Sequence, residues 1–257
     1  MTHDAPPVIR VRGLRAGYDG RAILDDVSFD VRRGEVFVIL GGSGCGKSTL
    51  LRHMIGLTDP LAGTIEIEGA DLVAAQGDER LRMQRRFGVL FQSGALFSSL
   101  TLAENVALPL EEFTSLPREA IDLVVRLKLD LVGLAHAAER FPSELSGGMK
   151  KRAGVARALA LDPGILFLDE PSAGLDPITS AEFDRLVLDL RASLGTTVVI
   201  VTHELQSIYA VADRCIMLDR ARRTIVAEGR PADLRDTSSD PWVRAFFRRE
   251  AAVEASR

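Results

Sequence analysis

Gly41-Gly42-Ser43-Gly44-Cys45-Gly46-Lys47-Ser48 fits GxxxxGK[ST] at every fixed position, a spacing suited to gripping phosphate. Glycines let the backbone turn its N–H groups towards phosphate oxygens, Lys47 can reach β and γ phosphates, and Ser48 can ligate Mg²⁺. Further along, Ile165-Leu166-Phe167-Leu168 runs into Asp169-Glu170. An apolar strand ending in a carboxylate places Asp169 at the C-terminal edge of a sheet, beside the phosphate loop, where α/β folds bind ligands. Asp169 is thereby the candidate to hold the metal, directly or through water, and Glu170 the candidate general base that polarises a water in line with the γ phosphate. Between these motifs, Ser146-Gly147-Gly148 opens a helix expected over about 149–161. A helix start with unused N–H groups and a positive dipole end is a second anion site. Alone, the acidic pair also suits a helix cap and the glycine run a plain turn; their succession points to nucleotide chemistry.

Such groups need a parallel sheet to carry them. Val36-Phe37-Val38-Ile39-Leu40 is a continuous apolar run, the pattern of a strand buried on both faces, and it leads straight into the phosphate loop. The helix after Lys47 should end near Gly56. Strands over 165–168 and 198–201 bracket a helix with Phe183, Leu186, Val187, Leu190 and Leu194 on one face, stopped by Gly195. Alternating strand and helix implies a parallel sheet with right-handed crossovers, hence the α/β class. Alternating segments at 8–12, 27–31 and 63–69 predict an antiparallel layer with a hairpin arm. Residues 93–158 are mainly helical in pattern, with Pro117 at a helix start and Ile121, Val124, Val125 and Leu127 on that helix, which predicts an inserted helical subdomain. Near the end, Asp240-Pro241-Trp242-Val243-Arg244-Ala245-Phe246-Phe247 reads as a short helix with an apolar stripe of Trp242, Val243, Phe246 and Phe247.

At 257 residues the chain suits one large domain with a subdomain. A formal charge of −4 argues against a nucleic-acid partner. With no apolar run long enough to span a bilayer and no signal-peptide pattern at its start, the chain is expected to be cytoplasmic. Cys45 and Cys215 are too far apart in sequence, and Cys45 too committed to the loop, to suggest a disulfide. The N–H groups around Cys45 should lower its thiol pKa and leave it reactive.

From Val8 to Gly229 the chain resembles the ABC ATPase family, and the resemblance implies a P-loop NTPase fold with a RecA-like core, an antiparallel β subdomain and an inserted helical subdomain at about 93–158. Residues 1–235 would be the ATPase domain and 236–257 a C-terminal helical extension. ATP and Mg²⁺ are the implied cofactors. Gly41, Gly42, Ser43, Gly44, Cys45, Gly46, Lys47, Ser48 and Thr49 would hold the nucleotide, and Tyr18 would stack on adenine. Gln92, after Gly88-Val89-Leu90-Phe91, resembles the glutamine that contacts Mg²⁺ and links the site to a membrane partner. His203 resembles the switch histidine on the γ phosphate. Ser146, Gly147, Gly148 and Asp176, the last in Ser172-Ala173-Gly174-Leu175-Asp176, would act across a homodimer on the second copy's ATP. Catalysis would fall to Glu170, His203 and Lys47, and metal binding to Ser48, Gln92 and Asp169.

Met149 stands where most of the family has glutamine, which removes any contact needing that amide but spares those of Ser146 and the backbone. Lys150, Lys151 and Arg152, which follow it, read as a solvated helix face. The run Leu145 to Arg152, with Gly88-Val89-Leu90-Phe91-Gln92-Ser93-Gly94-Ala95-Leu96-Phe97 and Asp176-Pro177-Ile178-Thr179-Ser180, resembles the ATPases of Mla/Mce-type lipid transporters. That implies movement of phospholipid or another hydrophobic envelope substrate, a polytopic permease gripped at the cytoplasmic face of the inner membrane, a second ATPase copy, a small accessory subunit and a periplasmic Mce-type lipid-binding protein. Amino-acid or lipoprotein transport, or an ABC ATPase acting on nucleic acid, are the alternatives. Gly94, Ala95, Leu96, Phe97 and Leu100 form the apolar patch expected to meet the permease unless the subdomain buries it.

Overall fold

The computed structural model describes residues 6–250. The chain divides into two compact units, one made of Met1–Ala75 with Val201–Arg257 and the other of Gln76–Ile200. In the first, β1 (Ile9–Tyr18) and β2 (Arg21–Val31) pair antiparallel, so both expected strands are about twice as long as the alternating segments suggest. Asp19-Gly20 joins them, with φ of 49° and 75°, the doubly left-handed two-residue turn whose twist matches its strands. The buried strand β3 (Val36–Gly41) feeds α1 (Lys47–Met54), which ends before the left-handed Gly56 as expected. β4 (Ala62–Ile67) and the short β5 (Ala70–Asp71) complete an antiparallel sheet of order β2-β1-β4-β5.

The second unit begins with α2 (Gly77–Gln84), which the sequence pattern leaves unmarked because Met83 is its one buried residue. Asp78 and Glu79 in its first turn favour a helix start by charge rather than by apolar period. β6 (Phe87–Leu90) follows, then α3 (Leu102–Phe113), α4 (Arg118–Leu131), α5 (Gly147–Ala158), β7 (Ile165–Asp169), α6 (Pro177–Leu194) and β8 (Thr197–Val201). Strands run in the order β8-β7-β6, with β6 and β7 parallel and Phe87 meeting Phe167 edge-on. On α6, Phe183, Val187 and Leu190 are buried, whereas Leu194 in the last turn stands exposed, contrary to expectation. α5 begins two residues before the expected 149–161, because Ser146 caps it, and stops three short of it.

The chain then returns to the first unit through α7 (Leu205–Val211), β9 (Arg214–Asp219), β10 (Thr224–Gly229), α8 (Pro231–Thr237) and α9 (Pro241–Arg248). β3 pairs with β9 in a parallel ladder that runs from Phe37↔Arg214 to Gly41↔Leu218. On α9 the apolar stripe divides: Val243 and Phe247 are buried by the chain itself, with the Tyr209 hydroxyl donating to the Phe247 carbonyl at 3.0 Å, while Trp242 and Phe246 stay half-buried. This is the α/β architecture with an antiparallel layer that the family resemblance implies. Among the described residues no helix is long and apolar enough to cross a membrane.

One buried polar side chain fixes the loop before α3. Asn105 is fully buried, its Oδ1 accepts from Phe97 N–H, and its Nδ2 faces the carbonyls of Phe97, Leu100 and Thr101 at 2.9–3.1 Å. The helix start is held separately by a capping box of Thr101 and Glu104. Asn105→Ala strands those backbone groups, and we expect a loss of about 1–3 kcal/mol in a urea melt, with α3 itself retained by circular dichroism.

Candidate functional site

The phosphate loop is shaped by contacts that tolerate little but glycine. Gly41 (φ 150°) and Gly46 (φ 102°) lie outside the region side chains prefer, and a Cβ on them would sit 2.5 Å from the Leu218 carbonyl oxygen and 2.9 Å from Leu24 Cγ. Gly46 is the left-handed residue before α1, so the N–H groups of Lys47 and Ser48 open the helix with no side chain in the way. Lys47 is 8% exposed, and its ammonium curls over the loop to the carbonyls of Gly41 at 3.0 Å and Gly42 at 3.2 Å. Ser48 is exposed at the helix start. Tyr18 closes β1 and lines an open hollow of about 550 Å³ with Asp19, Arg21 and Ile23. The Thr202 N–H donates to the Ile39 carbonyl at 3.2 Å, which ties the residue before His203 to β3, and His203 is exposed there.

Cys45 departs from expectation. It is 2% exposed, and burial pushes its thiol above the ordinary value, outweighing the opposing pull of Lys47 and of the backbone N–H groups. The loop's N–H groups do act on the sulfur, but desolvation is the larger effect, so the thiol pKa is raised where a lowered one was expected.

In the second unit β7 delivers the half-buried Asp169 and then Glu170, whose backbone is left-handed at φ 46°. A non-glycine residue there is strained, and neighbours must hold it. Its carbonyl accepts from Ala173 N–H at 3.1 Å and from the Lys151 ammonium at 2.9 Å. Lys151 also donates to the Ala173 carbonyl at 2.9 Å and is only 6% exposed. The solvated face expected for Lys150, Lys151 and Arg152 is therefore wrong for Lys151, which is buried and cross-links α5 to the turn after β7. Its signal was available: Gly148, Lys151 and Val155 form one buried stripe at helical spacing. Arg152 pairs with Glu182 at 2.7 Å and Lys150 is half-exposed.

The starts of α5 and α6 are capped by Ser146 and Asp176, the residues expected to meet phosphate or a partner. Ser146 Oγ accepts from Met149 N–H at 3.2 Å, which leaves its own proton free to donate elsewhere. Gly148 is buried, and a Cβ there would lie 2.5 Å from Thr179 Cγ2, so α5 and α6 meet closely at this point. Asp176 accepts from the N–H groups of Ile178 and Thr179, each at 3.0 Å, and from the Thr179 hydroxyl at 2.5 Å. That hydroxyl, then the backbone donors, hold its carboxyl below the usual carboxylate range. Gln92 is exposed after β6.

These donors suit a triphosphate and a hard cation. In the first unit a buried ammonium, an exposed serine hydroxyl and open helix N–H groups are acceptable partners for phosphate oxygens, and in the second the Asp169 carboxylate is of the oxygen type that Mg²⁺ prefers. No cluster of three or more His, Cys, Asp or Glu suited to a metal occurs among the described residues.

Comparisons with known proteins agree with this chemistry. Residues 24–173 match the ABC transporter family. The chain is 44% identical over 239 residues, 93% of its own length and 68% of the other's, to the probable ribonucleotide transport ATP-binding protein mkl of Mycobacterium leprae (strain TN). It is 39% identical over 247 residues, 96% of its length and 91% of the other's, to the intermembrane phospholipid transport system ATP-binding protein MlaF of Escherichia coli (strain K12). A solved ATP-binding cassette, MJ0796, in a dimeric post-hydrolysis state bound to ADP and Pi, superposes with a TM-score of 0.77 at 30% identity, over 86% of this chain and 98% of that one.

Lys151→Met removes the charged donor from both carbonyls. We expect a loss of about 1–3 kcal/mol in chemical denaturation, and a fall in phosphate release from ATP larger than any loss of nucleotide affinity. Lys151→Arg should recover part of both, and full activity in Lys151→Met would show that the cross-link is dispensable.

Proposed function

Because the chain belongs to the ABC transporter family and is its ATP-hydrolysing subunit, we propose that it powers movement of phospholipids or other hydrophobic envelope substrates in a transporter of the Mla/Mce type. The observation that carries the cargo reading is the likeness to MlaF, which spans nearly all of both chains. The Leu145-Ser146-Gly147-Gly148-Met149-Lys150-Lys151-Arg152 run agrees with it. The competing reading is another cargo on the same motor, such as the ribonucleotide in the mycobacterial relative's name.

On this reading residues 1–235 are the ATPase domain, with 93–158 its helical subdomain. Backbone N–H groups of 41–48 with Lys47, Ser48 and Thr49 hold the phosphates, and Tyr18 stacks on adenine. Ser48, Asp169 and Gln92 would hold Mg²⁺, which would supply charge neutralisation at the phosphates. Glu170 orients a water and takes its proton as the water oxygen bonds to the γ phosphorus and the bond to ADP breaks. His203 steadies the γ phosphate. Ser146, Gly147, Gly148 and Asp176 serve the ATP of a second copy, a role supported by the dimeric state of the related cassette. Glu170→Gln should keep ATP binding, lower turnover about 100-fold or more and accumulate an ATP-bound dimer, whereas Lys47→Ala should lose binding. Wild-type turnover in Glu170→Gln would remove Glu170 as the base.

The permease contact falls on the second unit. Phe97 is 52% exposed, so the subdomain does not bury it, and Arg157 lies over its ring while donating to the carbonyls of Ala95 and Gly94. Nearby on the same unit a pocket of about 250 Å³ is lined by Leu81, Arg85, Phe113 and Arg157 among others, a shape that takes an apolar anchor from a helix. The chain thereby works peripherally on the cytoplasmic face of the inner membrane. The half-buried Trp242 and Phe246 of α9 suit the second copy or a small accessory subunit, and a periplasmic Mce-type protein would complete the system. Mass spectrometry of the mildly solubilised complex should report a polytopic permease with bound phospholipid. Phe97→Asp should lose the permease, and truncation after Asp236 should weaken assembly more than ATP binding. A periplasmic protein specific for an amino acid or a metal in that complex would overturn the lipid assignment and leave the ATPase standing.

A further inference from the structure

α1 carries a second functional group besides Lys47. His53, in the last turn of the helix, is 1% exposed, with Nδ1 at 2.8 Å from the Thr58 carbonyl oxygen and Nε2 at 3.2 Å from the Gly17 backbone nitrogen. A carbonyl only accepts and a backbone N–H only donates, so the proton sits on Nδ1 and Nε2 accepts from Gly17. The neutral imidazole thus bridges the phosphate-loop helix to the tip of the β1–β2 hairpin. Gly17 lies beyond the ladder to β4, whose last pair is Arg15↔Ala62, and its N–H is taken by the histidine instead. No side chain fits at Gly17, where a Cβ would fall 1.9 Å from the Arg21 carbonyl oxygen. Next to it, the Tyr18 ring stacks on the His53 ring with centroids 6.1 Å apart and planes inclined by 29°.

One imidazole therefore fixes both the backbone before Tyr18 and one face of its ring, from the helix whose start grips phosphate. A ring held on one side by a partner has fewer orientations to lose when a base stacks on the other. We propose that His53 is a positioning residue that sets the aromatic plane of Tyr18 for the adenine ring, so that base and phosphates are read in register from α1. The proposal rests on the reading of Tyr18 as the adenine platform.

The test compares binding of Mg²⁺-ATP and of inorganic tripolyphosphate, which lacks a base, to the full chain by calorimetry. His53→Leu should weaken ATP about tenfold and leave tripolyphosphate unchanged, the loss expected when stacking of about 1.4 kcal/mol disappears. His53→Gln, whose amide can donate to Thr58 and accept from Gly17, should restore ATP binding. Equal loss of both ligands in His53→Leu would show that the histidine supports the phosphate loop itself, and loss of neither would show a packing residue; each overturns the proposal. Tyr18→Ala separates the two readings. If it leaves ATP affinity intact, the adenine platform is wrong; if it weakens ATP while His53→Leu does not, only the role of His53 falls.

Discussion

Backbone N–H groups can converge on a phosphate only where the chain passes through conformations that side chains resist, and the first unit is organised around that passage. The turn from β3 into α1 needs glycine at positions 41 and 46, with the Leu218 carbonyl and the Leu24 side chain pressed against it. Those neighbours stay put because β3 is buried at every residue and laddered to β9. The apolar run before the loop is therefore a mounting as much as a core strand. A single methyl group at Gly41 would have to move the strand that holds the loop in place.

The second unit solves a related problem with a cation. Glu170 has a left-handed backbone, and the Lys151 ammonium reaches its carbonyl from the helix that Ser146 caps. A buried ammonium is tolerated when carbonyl dipoles replace its water, and Lys151 has two. The helix start and the turn bearing the carboxylate are thereby one rigid piece. A shift of α5 along its axis would be felt at Glu170 without any movement of β7.

What could be read from sequence, and what could not, divides along physical lines. Continuous apolar runs announced β3 and β7 because a strand covered on both faces has no polar alternation to confuse it. Pro177 and Gly195 marked the ends of α6 because each acts through its own backbone. The phosphate loop was legible for the same reason. α2 was not, since it buries a single residue and leaves almost no period to detect. Lys151 and His53 were missed because a polar side chain on a helix is ordinarily solvated, and their partners are backbone atoms that no spacing rule names. Cys45 was misjudged because the N–H groups around it are visible in the motif, whereas its burial in the folded loop is not.

Both cysteines of the chain lie below the surface, Cys45 in the phosphate loop and Cys215 on β9, the latter with its thiol pushed up to about 12 by burial. Cys45 is 2% exposed, and a Cβ on Gly41 would fall 2.7 Å from its sulfur. The Cys45 sulfur thereby occupies the volume that any side chain at position 41 would need, so the bulk of one loop residue and the bareness of the other are a single packing solution.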